Sequence, residues 1–233
     1  LALFQELLPV LPDLLGMSGK RTYLVLLQDN TELTPGGGRI HSFGLVTFDK
    51  GRIINLEVMG RDTADGQLKG QIDPPEPLKK YTDLTDWNLS YSGWSADFPT
   101  SAARATWFIE KELEQKVDGV IAYDLEFVKT LLPRNRDIEL ESGEGISKDN
   151  IYQTTEKSNE DYYAKLNREV LRLLTNPSEL KTLELVGLSK NTTQKHLAFW
   201  TTTSRVNKIL AEHGWDGGMR NVSCDSAQKF GDC

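Results

Sequence analysis

The chain has 233 residues, of which 38% are hydrophobic, and its formal net charge is -7 at pH 7. This length and hydrophobic content are sufficient for one domain with a full core. The acidic balance argues against a nucleic-acid-binding protein, because such a protein needs a basic face to displace counterions from phosphates. No stretch reaches the roughly 18 apolar residues of a membrane-spanning helix. A membrane anchor is therefore expected only outside this chain.

Residues 1–19 predict an amphipathic lead-in helix. Leucines recur there at helical spacing, and Pro9 and Pro12 interrupt the pattern before a turn at residues 16–19. We expect a single α/β domain to follow in residues 20–218.

Several segments of that domain carry strand signals. Residues 23–28 form a continuous apolar run, which predicts a central strand covered on both faces. Residues 40–48 and 52–59 flank a glycine-containing turn and predict an antiparallel hairpin. Residues 117–123 form a second buried run, for which parallel pairing is expected, and residues 195–200 predict a short strand.

Helix signals alternate with these strands. We expect a helix that Thr100 or Ser101 caps and that runs to Gln115, and another over residues 162–174. Further helices are predicted at residues 178–186 and 204–213, the last one ended by Gly214. This order predicts an α/β fold, a mixed β-sheet flanked by helices on both faces.

The longest segment without periodicity covers residues 66–99. It contains several prolines and the aromatic residues Trp87, Tyr91 and Trp94. A loop of this length inside a compact domain is often functional, so it could form one wall of a site. The aromatic rings are candidates for stacking on sugars, or for the commoner role of fixing the loop to the domain.

Cys224 and Cys233 are the only cysteines, with eight residues between them. This short polar interval predicts a local disulfide loop, which would contribute roughly 2 to 3 kcal/mol and imply an oxidising compartment. The alternative is a pair of reduced thiols. Their spacing matches no zinc pattern.

Several long motifs resemble an uncharacterised bacterial family. They are RTYLVLLQDNTEL, DGQLKGQIDPPEPLKKY, WSADFPTSA and VDGVIAYDLEFVKTLL, and the resemblance extends from about Gly16 to Gly218. Members of that family are usually anchored in the membrane with this domain outside the cell, so the resemblance implies an extracytoplasmic, cell-surface location. Because the family's domain usually continues further, residues 219–233 are expected to be a truncated C-terminal segment.

A more distant resemblance is to the LytR-CpsA-Psr family, which transfers polyprenyl-pyrophosphate-linked glycans onto the bacterial cell wall with magnesium, arginines and aspartates. The order of elements is similar, and Arg61-Asp62-Thr63 matches an Arg-Asp-Thr motif that follows the hairpin. Gly60 stands where that family has proline, and its first strand motif has no clear counterpart. The resemblance implies an α/β/α fold, Mg²⁺ as cofactor, and an envelope glycan or polyprenyl phosphate lipid as partner.

The candidate site combines Arg61 and Arg39 as phosphate ligands with Asp62 or Glu32 as metal ligand. A pyrophosphate needs charged bidentate donors, which arginine supplies, and Mg²⁺ needs carboxylate oxygens. Arg61 and Asp62 are the candidate catalytic residues. The alternative for these two is a solvated surface pair.

Other polar residues have two interpretations each. Asn30 and Glu32 could face a ligand at the carboxyl edge of the sheet, or fix a turn by bonding to the backbone. Asp97 could bind a ligand or brace its loop, and Asp124 is expected to cap a helix. The three histidines lie on separate elements without a ligand pattern, so a hydrolase triad has little support.

Residues 36–38 are consecutive glycines, which can direct backbone N–H groups at an anion. A tight strand connection is the alternative, because the lysine and helix of a phosphate-binding loop are missing.

The chain departs from the closer family at positions where a polar site would be built. That family tends to have arginine at Thr34, and arginine, aspartate and asparagine at Ser90, Tyr91 and Gly93. Two hypotheses follow. In the first, the chain recognises or transfers a polyprenyl-phosphate-linked glycan. If the chain is an enzyme, this hypothesis gives it an activity like that of a magnesium-dependent glycopolymer phosphotransferase. Alternatively, it is a non-catalytic surface binding or adhesion module that kept the fold and lost the chemistry.

Overall fold

The computed structural model describes residues 2–132, 138–156, 159–176 and 190–220. Its strands are β1 (Arg21–Asp29), β2 (Arg39–Asp49), β3 (Arg52–Gly60), β4 (Gly119–Asp124), β5 (Ile138–Glu139), β6 (Gly145–Ile146) and β7 (Leu197–Thr201). Its helices are α1 (Ala2–Leu7), α2 (Leu11–Leu14), α3 (Asp62–Asp65), α4 (Glu76–Tyr81), α5 (Phe98–Leu113), α6 (Leu125–Leu131), α7 (Ile151–Glu156), α8 (Glu160–Thr175) and α9 (Ser204–Glu212).

The main sheet has five strands in the order β3-β2-β1-β4-β7. The central strand β1 pairs antiparallel with β2 and parallel with β4. β2 and β3 form the predicted hairpin, and β7 pairs antiparallel with β4 at the other edge. The predicted mixed sheet with a parallel pair at its centre is confirmed.

Side chains alternate between two cores because successive residues of a strand point to opposite faces of the sheet. Val25 and Leu27 of β1 pack on one face with α6, α7 and α8. Leu24 and Leu26 pack on the other face with α5. The predicted α/β class, with helices on both faces, is confirmed.

Helix α8 lies directly on β2 at Gly44. A Cβ atom at Gly44 would lie 2.7 Å from Cδ1 of Leu171, so the glycine allows this close approach. Leu166 and Val170 of the same helix are almost fully buried. This layer is filled by side chains where α8 crosses the sheet.

The lead-in segment forms two short helices where one was predicted, and it packs on the domain. Arg21 bonds Asp13 at 2.7 Å and Asp118 at 2.8 Å, and the Tyr23 hydroxyl donates to the Leu14 carbonyl at 2.7 Å. Val10 contributes to a small apolar cluster with residues of α9. No helix in the described parts of the chain is long and apolar enough to cross a membrane.

The start of α5 differs from the prediction. The helix begins at Phe98, and Asp97 caps it by accepting the backbone N–H of Thr100. Pro99 occupies the first turn, where its missing N–H costs nothing. Thr100 and Ser101 therefore lie inside the helix, and the predicted cap at these residues is wrong.

The remaining predicted elements agree where the structure describes them. Gly214, with φ +70°, follows α9 in the left-handed conformation that ends a helix. Outside the main sheet, β5 and β6 form a small antiparallel ladder. The predicted helix at residues 178–186 and the Cys224–Cys233 pair lie outside the described residues.

Glu112 is an ionisable residue that α5 places in the core. Its side chain is 4% exposed, and neither carboxylate oxygen has a hydrogen-bond partner among the described residues. Burial, together with the negative charges of Asp65 and Asp86, raises the pKa of Glu112 from 4.5 to about 8.

This pKa predicts that alkaline conditions destabilise the fold through Glu112. Unfolding between pH 4.5 and about 8 releases the proton that the folded state holds, so stability falls as the pH rises through this range. We expect Glu112→Gln to leave Tm nearly unchanged at pH 5 and to raise it by several degrees at pH 9, since 1 kcal/mol shifts Tm by roughly 2–4 °C in a protein of this size. Thermal denaturation across this pH range measures the effect. Glu110→Gln, on the exposed side of the same helix, should show no such pH dependence; equal curves for both variants would contradict the prediction.

Candidate functional site

The candidate site lies at the carboxyl edge of the parallel pair β1 and β4, which is where open α/β sheets bind ligands. β2 begins and β3 ends at this same edge. Asp29 at the end of β1 is paired in register with Arg39 at the start of β2. The backbone N–H of Arg61 donates to the His41 carbonyl at 3.1 Å. Antiparallel pairing on one side of β1 thus brings Arg39, His41 and Arg61 together.

Three side chains of this edge form a group with the geometry of metal ligands. One oxygen each from Asp29 and Glu32 and one ring nitrogen of His41 all lie within 4.8 Å of one another. His41 Nε2 lies 3.3 Å from Glu32 Oε1. Asp29 and His41 are buried, whereas Glu32 is exposed and faces the solvent side of the group.

Helix α8 holds the buried half of this group through Tyr163. The Tyr163 hydroxyl donates a hydrogen bond to Asp29 Oδ2. Its ring stacks on the His41 ring, with the centroids 4.1 Å apart and the planes at 15°. The other oxygen of Asp29 accepts from the backbone N–H and the hydroxyl of Thr31, at 2.7 and 2.6 Å. Both Asp29 and His41 are therefore fixed in orientation.

Arg39 extends the group with a positive charge. Its Nη1 lies 3.2 Å from Glu32 Oε2, and its guanidinium stacks 4.7 Å from the centroid of the Tyr91 ring. Its Nε is buried without a hydrogen-bond partner among the described residues. Arg39 therefore has a donor that a bound anion could use.

Arg61 and Asp62 form the predicted pair but differ in exposure. Arg61 Nε lies 3.4 Å from Asp62 Oδ1, and the exposed fractions of the two side chains are 15% and 72%. Asp62 does not belong to the group of Asp29, Glu32 and His41 within the described residues. The structure thus brings Arg61 and Glu32 to one edge and directs Asp62 to solvent.

Asn30 and Asp97 have different surroundings. Asn30 follows Asp29, and its Oδ1 is buried without a hydrogen-bond partner among the described residues. Asp97 caps α5 and also accepts the Met219 N–H at 3.0 Å. Burial raises the pKa of Asp97, but the bonds from Thr100 and Met219 outweigh it and hold this pKa below its usual value. The contacts of Asp97 match the predicted bracing role.

The glycines at residues 36–38 form a tight strand connection. Gly36 N–H donates to the Gly93 carbonyl at 2.9 Å, and Gly37 N–H donates to the Thr34 carbonyl at 3.1 Å. A Cβ atom at Gly36 would lie 2.5 Å from Gly93 O, and one at Gly38 would lie 2.4 Å from Asp29 O. These two N–H groups are used within the protein, so they do not form the anion site considered above.

The residues that depart from the closer family pack around the same loop. The Ser90 hydroxyl lies 2.6 Å from Asp65 Oδ2, Tyr91 supports Arg39, and Gly93 contacts Gly36. The Thr34 hydroxyl donates to the Gly38 carbonyl at 3.1 Å. These positions have packing and hydrogen-bonding roles.

A second acidic residue lies at the end of β4. Asp124 caps α6 as predicted, accepting from the N–H groups of Glu126 and Phe127 at 2.9 and 3.0 Å. Its other oxygen lies 2.7 Å from Nδ1 of His196, which the sequence did not predict. Burial raises the pKa of Asp124, and the bond to His196 opposes this shift.

Sequence reasoning missed Asp29, Tyr163 and the role of His41. The sequence shows no ligand pattern around His41, but β2 returns beside β1 and places this residue against Asp29 and Glu32. A register shift between β1 and β2 interrupts the alternation of side chains at this point, so periodicity along β2 did not indicate the position of His41. No sequence pattern indicated Tyr163.

The group of Asp29, Glu32 and His41 fits a divalent cation, because it offers two carboxylates and an imidazole in close reach. It fits Mg²⁺ less well. Mg²⁺ prefers oxygen ligands in octahedral geometry, whereas the third ligand here is a nitrogen.

The fold and this edge arrangement define an α/β domain with a polar site at the carboxyl ends of its central strands. Residues 18–160 match the family described as "Protein of unknown function (DUF4012)". The chain belongs to this family. The expectation of a family of unknown function is thereby confirmed, and no curated protein matches the chain.

Solved structures show weaker likeness. The protein gbs0355 from Streptococcus agalactiae aligns with TM-score 0.46 and 16% identity over 85% of this chain and 74% of its own. B. subtilis TagV aligns with TM-score 0.38 and 14% identity over 85% and 80%. TagT bound to LIIa-WTA aligns with TM-score 0.46 and 12% identity over 84% and 75%. At these scores the likeness carries no conclusion about function.

The buried bond between Tyr163 and Asp29 predicts a large effect of Tyr163→Phe. The variant keeps the ring that stacks on His41 but leaves a buried carboxylate oxygen without its donor, which costs about 1.5–3 kcal/mol. Tyr162→Phe is a matched control on the same helix, because it removes a neutral bond to Thr154 worth about 0.5–1.5 kcal/mol. Urea denaturation measures both losses. A smaller loss for Tyr163→Phe than for Tyr162→Phe would contradict the importance given to this contact.

Proposed function

We propose that this chain is an extracytoplasmic, cell-envelope domain that recognises or transfers a polyprenyl-phosphate-linked glycan. The observation that carries the proposal is that Arg39 and Arg61 both lie at the edge of the sheet where His41 is found. Arg39 lies two residues before His41 on β2, and the Arg61 backbone bonds the His41 carbonyl at 3.1 Å. Two arginines from separate strand ends thus reach one sheet edge, as a pyrophosphate site requires.

The contacts of the Arg39 side chain support this proposal. Its guanidinium is held in place by the Tyr91 ring on one side and by Glu32 on the other. The buried Nε lacks a partner among the described residues, and a buried donor without a partner costs free energy. A phosphate oxygen at Nε would remove this cost.

The extracytoplasmic location rests on the resemblance of the motifs to membrane-anchored bacterial proteins. The ligand class rests on the Arg61-Asp62-Thr63 motif and on the arginines beside it. A divalent cation belongs to the proposal, with Glu32 as one ligand; Asp62, which points to solvent, would contribute only by turning toward the bound group.

A non-catalytic surface or adhesion module is the second candidate. It is favoured by the packing of Ser90, Tyr91 and Gly93, which replaces the charged residues usual in the closer family. It is also favoured by the filled layer between α8 and β2, where Leu171 rests on Gly44. A transferase-like domain would need a long apolar tunnel for a prenyl chain beside the arginines, whereas a binding module can be solidly packed.

The test is titration of the purified chain with a short-chain prenyl pyrophosphate, with and without a divalent cation, followed by native mass spectrometry. We expect one-to-one binding that Arg61→Ala and Arg39→Ala each weaken at least about tenfold, because each removes charge-assisted hydrogen bonds. Arg172→Ala is the matched control, since it removes the same charge from an exposed pair with Glu169.

Undiminished binding by folded Arg61→Ala and Arg39→Ala would sink this site assignment. No binding by the folded wild-type chain, with or without the cation, would favour the non-catalytic module instead. Equal losses in Arg172→Ala would show that net charge, and not the site, controls binding.

A further inference from the structure

We infer that the group of Asp29, Glu32 and His41 selects a transition-metal cation, Zn²⁺ or Mn²⁺, over Mg²⁺. This inference deepens the proposed function and rests on it for the use of the same site. It concerns the metal alone, so it can be measured without the lipid ligand.

The first argument is the chemistry of the three donors. One imidazole nitrogen and two carboxylate oxygens lie within 4.8 Å of one another, close enough to share one ion. Imidazole is a good ligand for zinc and related transition metals, whereas Mg²⁺ prefers oxygen. For a given set of nitrogen and oxygen ligands, affinity rises from Mn²⁺ towards Zn²⁺.

The second argument is that the buried ligands are already oriented by their neighbours. Asp29 is 2% exposed and accepts hydrogen bonds from Tyr163 and Thr31. His41 is 3% exposed and stacks on Tyr163. Partners of this kind fix the orientation of metal ligands and are a usual part of metal sites.

The third argument is access. Glu32 is the exposed member of the group and sits on the connection between β1 and β2, with Oε1 facing His41 Nε2 at 3.3 Å. An ion arriving from solvent would meet Glu32 first and reach the two buried ligands behind it. Its charge would balance the carboxylates of Asp29 and Glu32, the second of which pairs with Arg39.

The Asp124 and His196 pair provides an internal contrast. His196 Nδ1 lies 2.7 Å from Asp124, but this pair is not joined by a third ligand in the described part of the chain. Because this pair offers only two ligands, we expect it to bind no metal ion.

The experiment is calorimetric titration of the chelator-treated chain with ZnCl₂, MnCl₂ and MgCl₂ separately. We expect one site with affinity in the order Zn²⁺, Mn²⁺, Mg²⁺, and Mg²⁺ at least about 100-fold weaker than Zn²⁺. Glu32→Gln should weaken all three ions at least about tenfold, since it removes a charged ligand. Because Glu32 is exposed, we expect this variant to fold.

His41→Asp tests selectivity directly. Replacing the imidazole by a carboxylate should weaken Zn²⁺ and strengthen Mg²⁺, so that the ratio of their affinities falls at least about tenfold. His196→Gln is the matched control and should change none of the affinities. Circular dichroism of each variant checks folding, and Glu32→Gln keeps the test decisive if His41→Asp does not fold.

Mg²⁺ binding as tight as Zn²⁺ binding in the wild-type chain would overturn the inference, as would the absence of any ion binding. Zn²⁺ binding that survives Glu32→Gln but is lost in His196→Gln would overturn it as well, by placing the ion at the other pair. The lipid titration without a divalent cation tests pyrophosphate binding by Arg39 and Arg61 on its own, so failure of the metal inference and failure of the proposed function can be told apart.

Discussion

A buried carboxylate at the end of the central strand constrains the structure around it. Asp29 is 2% exposed, and an ionised group in such a position must find its partners within the protein. One partner, Tyr163, comes from α8 on one face of the sheet, and the other, Thr31, comes from the turn that follows β1. The requirement to satisfy one charge therefore fixes a helix and a turn against the same strand end.

The turn that begins at Asp29 determines where β2 starts. Gly38 passes so close to the Asp29 carbonyl that a Cβ atom would lie 2.4 Å from it, and Gly36 passes equally close to Gly93. Only glycine allows both approaches, because any side chain would collide with backbone. The result is a short return that sets Arg39 opposite Asp29 and places His41 beside it. The consecutive glycines thus act by allowing close packing. The N–H groups of Gly36 and Gly37 donate within the protein, so these two groups do not bind an anion.

The sequence predicted the sheet well because its signals are local. The apolar run of β1, the hairpin of β2 and β3, and the apolar run of β4 each show in the pattern of a few consecutive residues. The site could be predicted only in part, because its contacts join residues far apart in the chain. Tyr163 bonds a residue 134 positions earlier. A register shift between Leu27 and Gln28 further alters which residues of β2 face Asp29, and periodicity alone does not reveal it. Arg61 was predicted from its match to the Arg-Asp-Thr motif, Arg39 from its place after the three glycines, and Glu32 from its place after the buried strand.

The charges at this edge imply that a cation and an anion would bind it cooperatively. Asp29 and Glu32 carry two negative charges close to Arg39, and Asp62 lies beside Arg61. A pyrophosphate that approaches the arginines therefore also approaches carboxylates, and like charges in a partly buried site repel strongly. A cation at Asp29, Glu32 and His41 would reduce that repulsion, and the anion would in turn favour the cation by the same free energy. With only one of the two ligands bound, the charges of the site stay unbalanced, so the arrangement of these side chains favours joint occupancy over separate binding.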